Sequence, residues 1–116
     1  MPAEDYTLRD VNGVLVVRID ADNLLGVEEV NRIGSSLDAM MKDQPRNMIL
    51  DLARIRYAGS AALGMLLSLS KSLQARGKKL ILAGTQHLDT LFKVSRTVAV
   101  FEILPDVDQA LGSLQK

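Results

Sequence analysis

Three short, almost unbroken apolar runs constrain this chain more than any other feature: Val14-Leu15-Val16-Val17, Met48-Ile49-Leu50-Asp51-Leu52 and Leu80-Ile81-Leu82-Ala83. Each has the length of a strand, and a strand apolar on both faces belongs in a sheet covered on both sides. The segments between the runs have a different period. Val27, Val30, Ile33, Leu37, Met40 and Met41 recur at spacings of three and four, which makes one inward face of a helix, and Pro45 stops it. Leu63, Leu66, Leu67, Leu69 and Leu73 supply the buried side of a second helix, opened by Ser60 and capped at Gly77. A third helix, entered through Gly84-Thr85, turns Leu88, Leu91 and Phe92 inward. Val98 to Leu104 reads as a last strand. Pro105-Asp106 then starts a final helix, with Asp106 as its N-cap and Val107, Ala110, Leu111 and Leu114 inward.

At the other end of the chain, Tyr6 to Val11 and Val14 to Ile19 flank Asn12-Gly13, the strongest short hairpin signal. Alternating strands and helices imply crossover connections and a parallel sheet. The expected fold class is therefore α/β. It is a single compact domain over residues 1–116, with a mixed, mostly parallel sheet, an N-terminal hairpin edge and about four helices packed against it.

Composition narrows the function. Lys+Arg and Asp+Glu both number 14, so there is no basic field for nucleic acid and no basic block for a membrane surface. The aromatics are Tyr6, Tyr57, Phe92 and Phe101 only, too few for base-stacking platforms. No apolar run approaches the ~18 residues of a membrane span. Met1-Pro2-Ala3-Glu4-Asp5 lacks the basic-then-apolar order of a signal peptide, so the expected location is the cytoplasm.

The chain has no Cys and one His, His87, so no thiolate or histidine metal cluster can be built. His87 reads as an exposed residue in the first turn of a helix. Neither Gly-x-Gly-x-x-Gly nor Gly-x-x-x-x-Gly-Lys-Ser/Thr occurs, and no cofactor is expected. Gly59-Ser60-Ala61-Ala62-Leu63-Gly64 places a serine at a strand-to-helix turn without the Gly-x-Ser-x-Gly of a nucleophile elbow. No catalytic set is assigned, and the chain is read as a non-enzyme.

The informative segment runs from Asp51 to Leu66. Serine is among the best N-cap residues, because its hydroxyl accepts a hydrogen bond from a first-turn amide. That alone would account for Ser60. The small residues at 58, 59, 61 and 62 allow close helix-on-sheet packing. They would equally leave the hydroxyl uncovered and let a partner's surface approach it.

These residues resemble the signature of the STAS domain, specifically the anti-sigma factor antagonists: an apolar-apolar-Asp-Leu strand, a loop, Asp-Ser-Ser/Thr-Gly-Leu-Gly, then an apolar helix. Ile49-Leu50-Asp51-Leu52 matches the strand, Ser60 the family's phosphorylated serine, and Leu63-Gly64 the Leu-Gly. Ala75 to Gly84 looks like the family's helix end, Gly turn and next strand. Phe101-Glu102-Ile103 and Val107 to Leu111 resemble its last strand and final helix. Gly59 stands where the family carries Asp, and Ala61 and Ala62 replace the second hydroxyl residue and the Gly.

The resemblance implies partner switching. The unphosphorylated chain would bind an anti-sigma factor that is also a serine kinase, and phosphorylation of Ser60 would part them. A PP2C-type phosphatase would restore the chain. The implied contact surface is Asp22, Asn23, Arg56, Tyr57, Gly59, Ser60, Ala61 and Ala62. Other family members are fixed subunits of larger assemblies, including lipid-transport systems, and that alternative stays open here, as does the oligomeric state.

Overall fold

The computed structural model describes residues 6–96 and 100–114. Strand β1 (Tyr6–Val11) turns back into β2 (Val14–Ile19) through Asn12 and Gly13, whose φ values of 53° and 86° are those of a type I′ turn. A two-residue strand, β3 (Asn23–Leu24), leads into α1 (Val27–Asp43). Then come β4 (Met48–Asp51), a second two-residue strand β5 (Tyr57–Ala58), and α2 (Ser60–Ala75). β6 (Leu80–Ala83) is followed by a 3-10 turn at Gln86–Leu88, α3 (Asp89–Val94), β7 (Glu102–Leu104) and α4 (Val107–Leu114).

The main sheet has the order β1-β2-β4-β6-β7, antiparallel only at the β1–β2 hairpin. This is the expected mixed sheet with four α-helices among the described residues. Alternation along the strands divides the core in two. Leu15, Val17, Met48, Leu50, Leu80 and Leu82 face α1 and α2, joined by Ile33, Leu37, Leu66 and Leu69. Val14, Val16, Ile49, Ile81 and Ala83 face α4 through Ala110. The central strands are apolar throughout because both faces are covered.

Helix ends follow local chemistry. After α2, Gly77 adopts φ +72°, its amide bonds the carbonyl of Gln74 (3.0 Å), and the Lys78 amide bonds that of Leu73 (2.8 Å), a Schellman closure. Asp106 caps α4 as expected, its Oδ1 accepting the Gln109 amide at 2.8 Å.

Three expectations change. The third helix is short and preceded by the 3-10 turn, which carries exposed His87. The last strand starts at Glu102. Of its expected residues Val98 and Ala99 lie outside the described residues, and Val100 sits in a turn, 53% exposed. Val27, expected inward, is 59% exposed, because it is the first residue of α1 and the buried face begins one turn later at Val30.

Candidate functional site

Ser60 is the first residue inside α2 and not its cap. Gly59 caps the helix from an extended conformation (φ −117°, ψ −170°), and its carbonyl accepts the amides of Ala62 (3.1 Å) and Leu63 (3.3 Å). No side chain completes the cap. The N-cap account of Ser60 therefore falls: its side chain is exposed, and its hydroxyl has no hydrogen-bond partner among the described residues.

The loop that delivers Ser60 is held by a small parallel pairing, Asn23 with Tyr57 and Leu24 with Ala58. The Arg56 amide donates to the Asp22 carbonyl at 2.8 Å, and the Gly59 amide to that of Leu24 at 3.3 Å. Residues 22–25 and 56–60, over thirty positions apart, thus form one surface. Asn23 braces the turn, with Oδ1 accepting the Leu25 amide (3.2 Å) and Nδ2 donating to Asp22 Oδ1 (3.0 Å).

Arg56 and Tyr57 project outward, Tyr57 with 65% exposure, and Gly59 and Ala61 are half-buried. Ala62, placed on the same surface from the sequence, is 1% exposed and packs into the core, because its position on α2 shares the sheet-facing side with Leu66 and Leu69. Two exposed apolar residues complete the surface: Leu25, which the sequence pattern did not single out, and Val27, expected on the inward face of α1. Leu25 is 56% exposed, and its Cδ2 stands 3.8 Å from where a Cβ on Gly59 would sit; Val27 lies two residues beyond. Both sit between the end of β3 and the first turn of α1, where none of the described residues buries them.

An uncovered hydroxyl thus stands at the N-terminus of a 16-residue helix whose first turn carries no acidic residue. The leading amides of such a helix lack intrahelical acceptors, and its dipole favours an added anion. Beneath the adjoining turn, Asp20 binds Arg18 (2.7 Å) and Arg54 (3.5 Å). The Thr7 hydroxyl, with Arg18 and Arg54 adding to it, holds the Asp20 carboxyl below its ordinary pKa, against the opposing effect of burial. Asp38 on α1 is lowered chiefly by the Ser72 hydroxyl of α2 (2.7 Å) and further by Lys42 (3.3 Å). A carboxyl lowered in the folded state contributes stability that is present above its unfolded pKa and lost as pH falls through the folded one. Melting followed downward from pH 6 should therefore show the wild type losing more stability below about pH 4 than Asp38→Asn, in which one such carboxyl is gone.

Among the described residues no group of three or more His, Asp or Glu side chains is placed to hold a metal, and no helix is long and apolar enough to cross a membrane. What the fold builds is a small α/β domain in which the exposed Ser60 hydroxyl stands at the head of α2 beside the exposed side chains of Leu25 and Tyr57. The chain belongs to the STAS domain family, whose model matches residues 5–110. It is 24% identical over 110 residues to BtrV of Bordetella bronchiseptica, a candidate anti-sigma factor antagonist by name, covering 94% of this chain and 93% of that one. A STAS domain protein of the same description from Planctomyces limnophilus has the same fold at 20% identity, with a TM-score of 0.85 over 97% of this chain and 100% of that one. The anti-sigma factor antagonist SpoIIAA, solved in its unphosphorylated form, superposes with a TM-score of 0.74 at 18% identity, over 95% and 97% of the two chains.

Proposed function

We propose that this chain is a non-catalytic partner-switching regulator of the anti-sigma factor antagonist type, acting in the cytoplasm. Unphosphorylated, it binds an anti-sigma factor with serine-kinase activity through Tyr57, Leu25, Gly59, Ser60 and Ala61, flanked by Arg56, Asp22 and Asn23. The kinase transfers the γ-phosphoryl group of ATP to Ser60 Oγ, the serine proton is released, and ADP leaves. A PP2C-type phosphatase hydrolyses the phosphoserine and returns the chain to its binding form.

The observation that carries this reading is the free, exposed hydroxyl of Ser60 at the head of α2, with Leu25 and Tyr57 exposed around it. Exposed apolar side chains grouped about one hydroxyl suit a contact that a charge on that hydroxyl can break. The phosphoserine brings about −1.5 to −2 charges at neutral pH. It is tolerated by the free chain, because it stands in water at a helix N-terminus. It is opposed in the complex, because the partner would have to desolvate it.

The intact mass of the chain purified from its native host should carry a phosphoryl adduct that is absent from Ser60→Ala. Lack of any adduct across growth conditions, together with one constant co-purifying partner, would instead make the chain a fixed subunit of a larger assembly.

A further inference from the structure

We propose that the groove between α1 and α2 seats an α-helix of the partner, a deepening that rests on the reading of the Ser60 surface as the contact centre. The groove holds about 330 Å³ and opens beside Ser60 at Ala61. Met65 and Leu69 form its floor, Ser35 and Ser68 stand on its two walls, and Asp38 lies toward its far end. Val27 stands one turn before Asn31 on the same side of α1, so the exposed apolar patch and the groove are continuous.

Gly64 points to an occupant from outside the chain. It lies inside a 16-residue helix, exposed, and a Cβ built on it meets nothing within 4 Å. Glycine there weakens the helix relative to alanine, and no contact within this chain requires it. Gly34 on the facing wall is different, since its Cβ would lie 2.6 Å from Met65 Cγ and the fold itself demands the small residue. Gly112 is also open, but it sits in the last turn of the short α4, where the loss is small. A glycine that the fold does not need, on the wall of a groove leading from the contact centre, fits close approach by a partner's backbone.

That backbone must be helical. Both walls are helices whose backbone groups are paired internally, so an extended segment in the groove would bury unpaired amides and carbonyls. A helix brings its own pairing and can approach small residues to about 8 Å between axes. From Asn31 to Asp38 the groove runs about 10 Å, or two helical turns at ~1.5 Å per residue, and the exposed Val27 extends the track by one turn more. Asp38 is the one charged residue lining it, and its carboxylate is already held by Ser72 and Lys42, so the occupant carries apolar residues at the Ser60 end and, at the other, a lysine or arginine that shares that carboxylate.

The test titrates the purified partner kinase, without nucleotide hydrolysis, against five variants. Gly64→Leu and Ser35→Tyr fill the groove from opposite walls and are each expected to weaken binding about tenfold or more. Asp38→Asn should weaken it about threefold, with a shallower salt dependence. Gly64→Ala should raise the melting temperature while weakening binding about two- to threefold, which separates loss of docking from loss of fold. Ser60→Asp tests the contact centre by itself. Wild-type affinity for both groove-filling variants, with weak binding by Ser60→Asp, overturns the groove and leaves the Ser60 reading standing. Weak binding by the groove variants with full binding by Ser60→Asp supports the groove and overturns the phosphorylation switch. No binding by the wild type overturns both.

Discussion

Ser60→Asp is expected to weaken partner binding about a hundredfold while the free chain melts slightly higher than wild type. The two halves of this result come from one position seen in two environments. In the free chain the residue at 60 stands in water at the first position of α2, with Gly59 as cap and no acidic neighbour in the first turn. A carboxylate there meets the positive end of the helix dipole, which contributes about 0.3–1 kcal/mol. At roughly 4 °C per kcal/mol for a domain of this size, that is a rise of about 1–4 °C.

In the complex the same carboxylate would be pressed beneath a partner that also covers Leu25 and Tyr57. A charge buried without a counter-charge costs several kcal/mol, and about 2.7 kcal/mol already makes a hundredfold. Thermal melting and calorimetric titration of one preparation check both halves. A melting temperature several degrees lower would mean that Ser60 supports the helix in a way its free hydroxyl does not indicate. Unchanged affinity would place the contact surface elsewhere. Ser60→Ala is the matching control: with no hydrogen bond to lose, it should change stability by no more than about 0.5 kcal/mol.

The architecture was legible because its determinants are dense in the sequence. Val14 to Val17, Ile49-Leu50 and Leu80 to Ala83 are buried on both faces, and such runs have few other places to go than the centre of a covered sheet. Asn12-Gly13, Gly77 and Asp106 are the residues their turns and caps require, and each was readable from the chain alone. The site was legible only in outline. Ser60 could be read as a helix start, but whether it caps the helix or follows the cap depends on the extended backbone at Gly59, which no residue type encodes.

The strands β3 and β5 are two residues each and have no periodicity to detect; they exist because distant segments meet. Leu25 was left unassigned, and Val27 was placed on the inward face of α1, for the opposite reason. Their apolar character was visible, but a sequence does not say which apolar residues at the ends of elements fall beyond the core. Ala62 was misplaced because it neighbours Ser60 in sequence, whereas 100° of helical rotation per residue carries it to the sheet side.

Gly84→Ala is expected to be the most destabilising single-methyl change of those considered, at about 2–4 kcal/mol. Gly84 follows β6 with φ +70°, a region where an L side chain costs about 1–2 kcal/mol. Gly77 has nearly the same φ, +72°, but a Cβ there meets nothing within 4 Å, so Gly77→Ala measures the backbone cost alone. At Gly84 the added Cβ would lie 2.9 Å from Ala53 Cβ and 3.1 Å from both Ala53 Cα and N. Two of those three atoms are backbone and cannot rotate away, so the segment after β4 must move, at the ~1–3 kcal/mol typical of overpacking.

That segment is tied to β6 by the Leu52 amide on the Ala83 carbonyl (2.8 Å), and it runs through Arg56 and Tyr57 to Ser60. Displacing Ala53 therefore strains the loop that presents the contact surface. Gly84→Ala should lower partner affinity as well as the melting temperature, whereas Gly77→Ala should lower the melting temperature alone. Ala53→Gly in the Gly84→Ala background removes the 2.9 Å contact and keeps the two at 3.1 Å, so it should restore part of the lost stability. Equal losses at Gly77 and Gly84 would mean that the chain relaxes around the new methyl without cost, and that the position of the Ser60 loop does not depend on its packing against the end of β6.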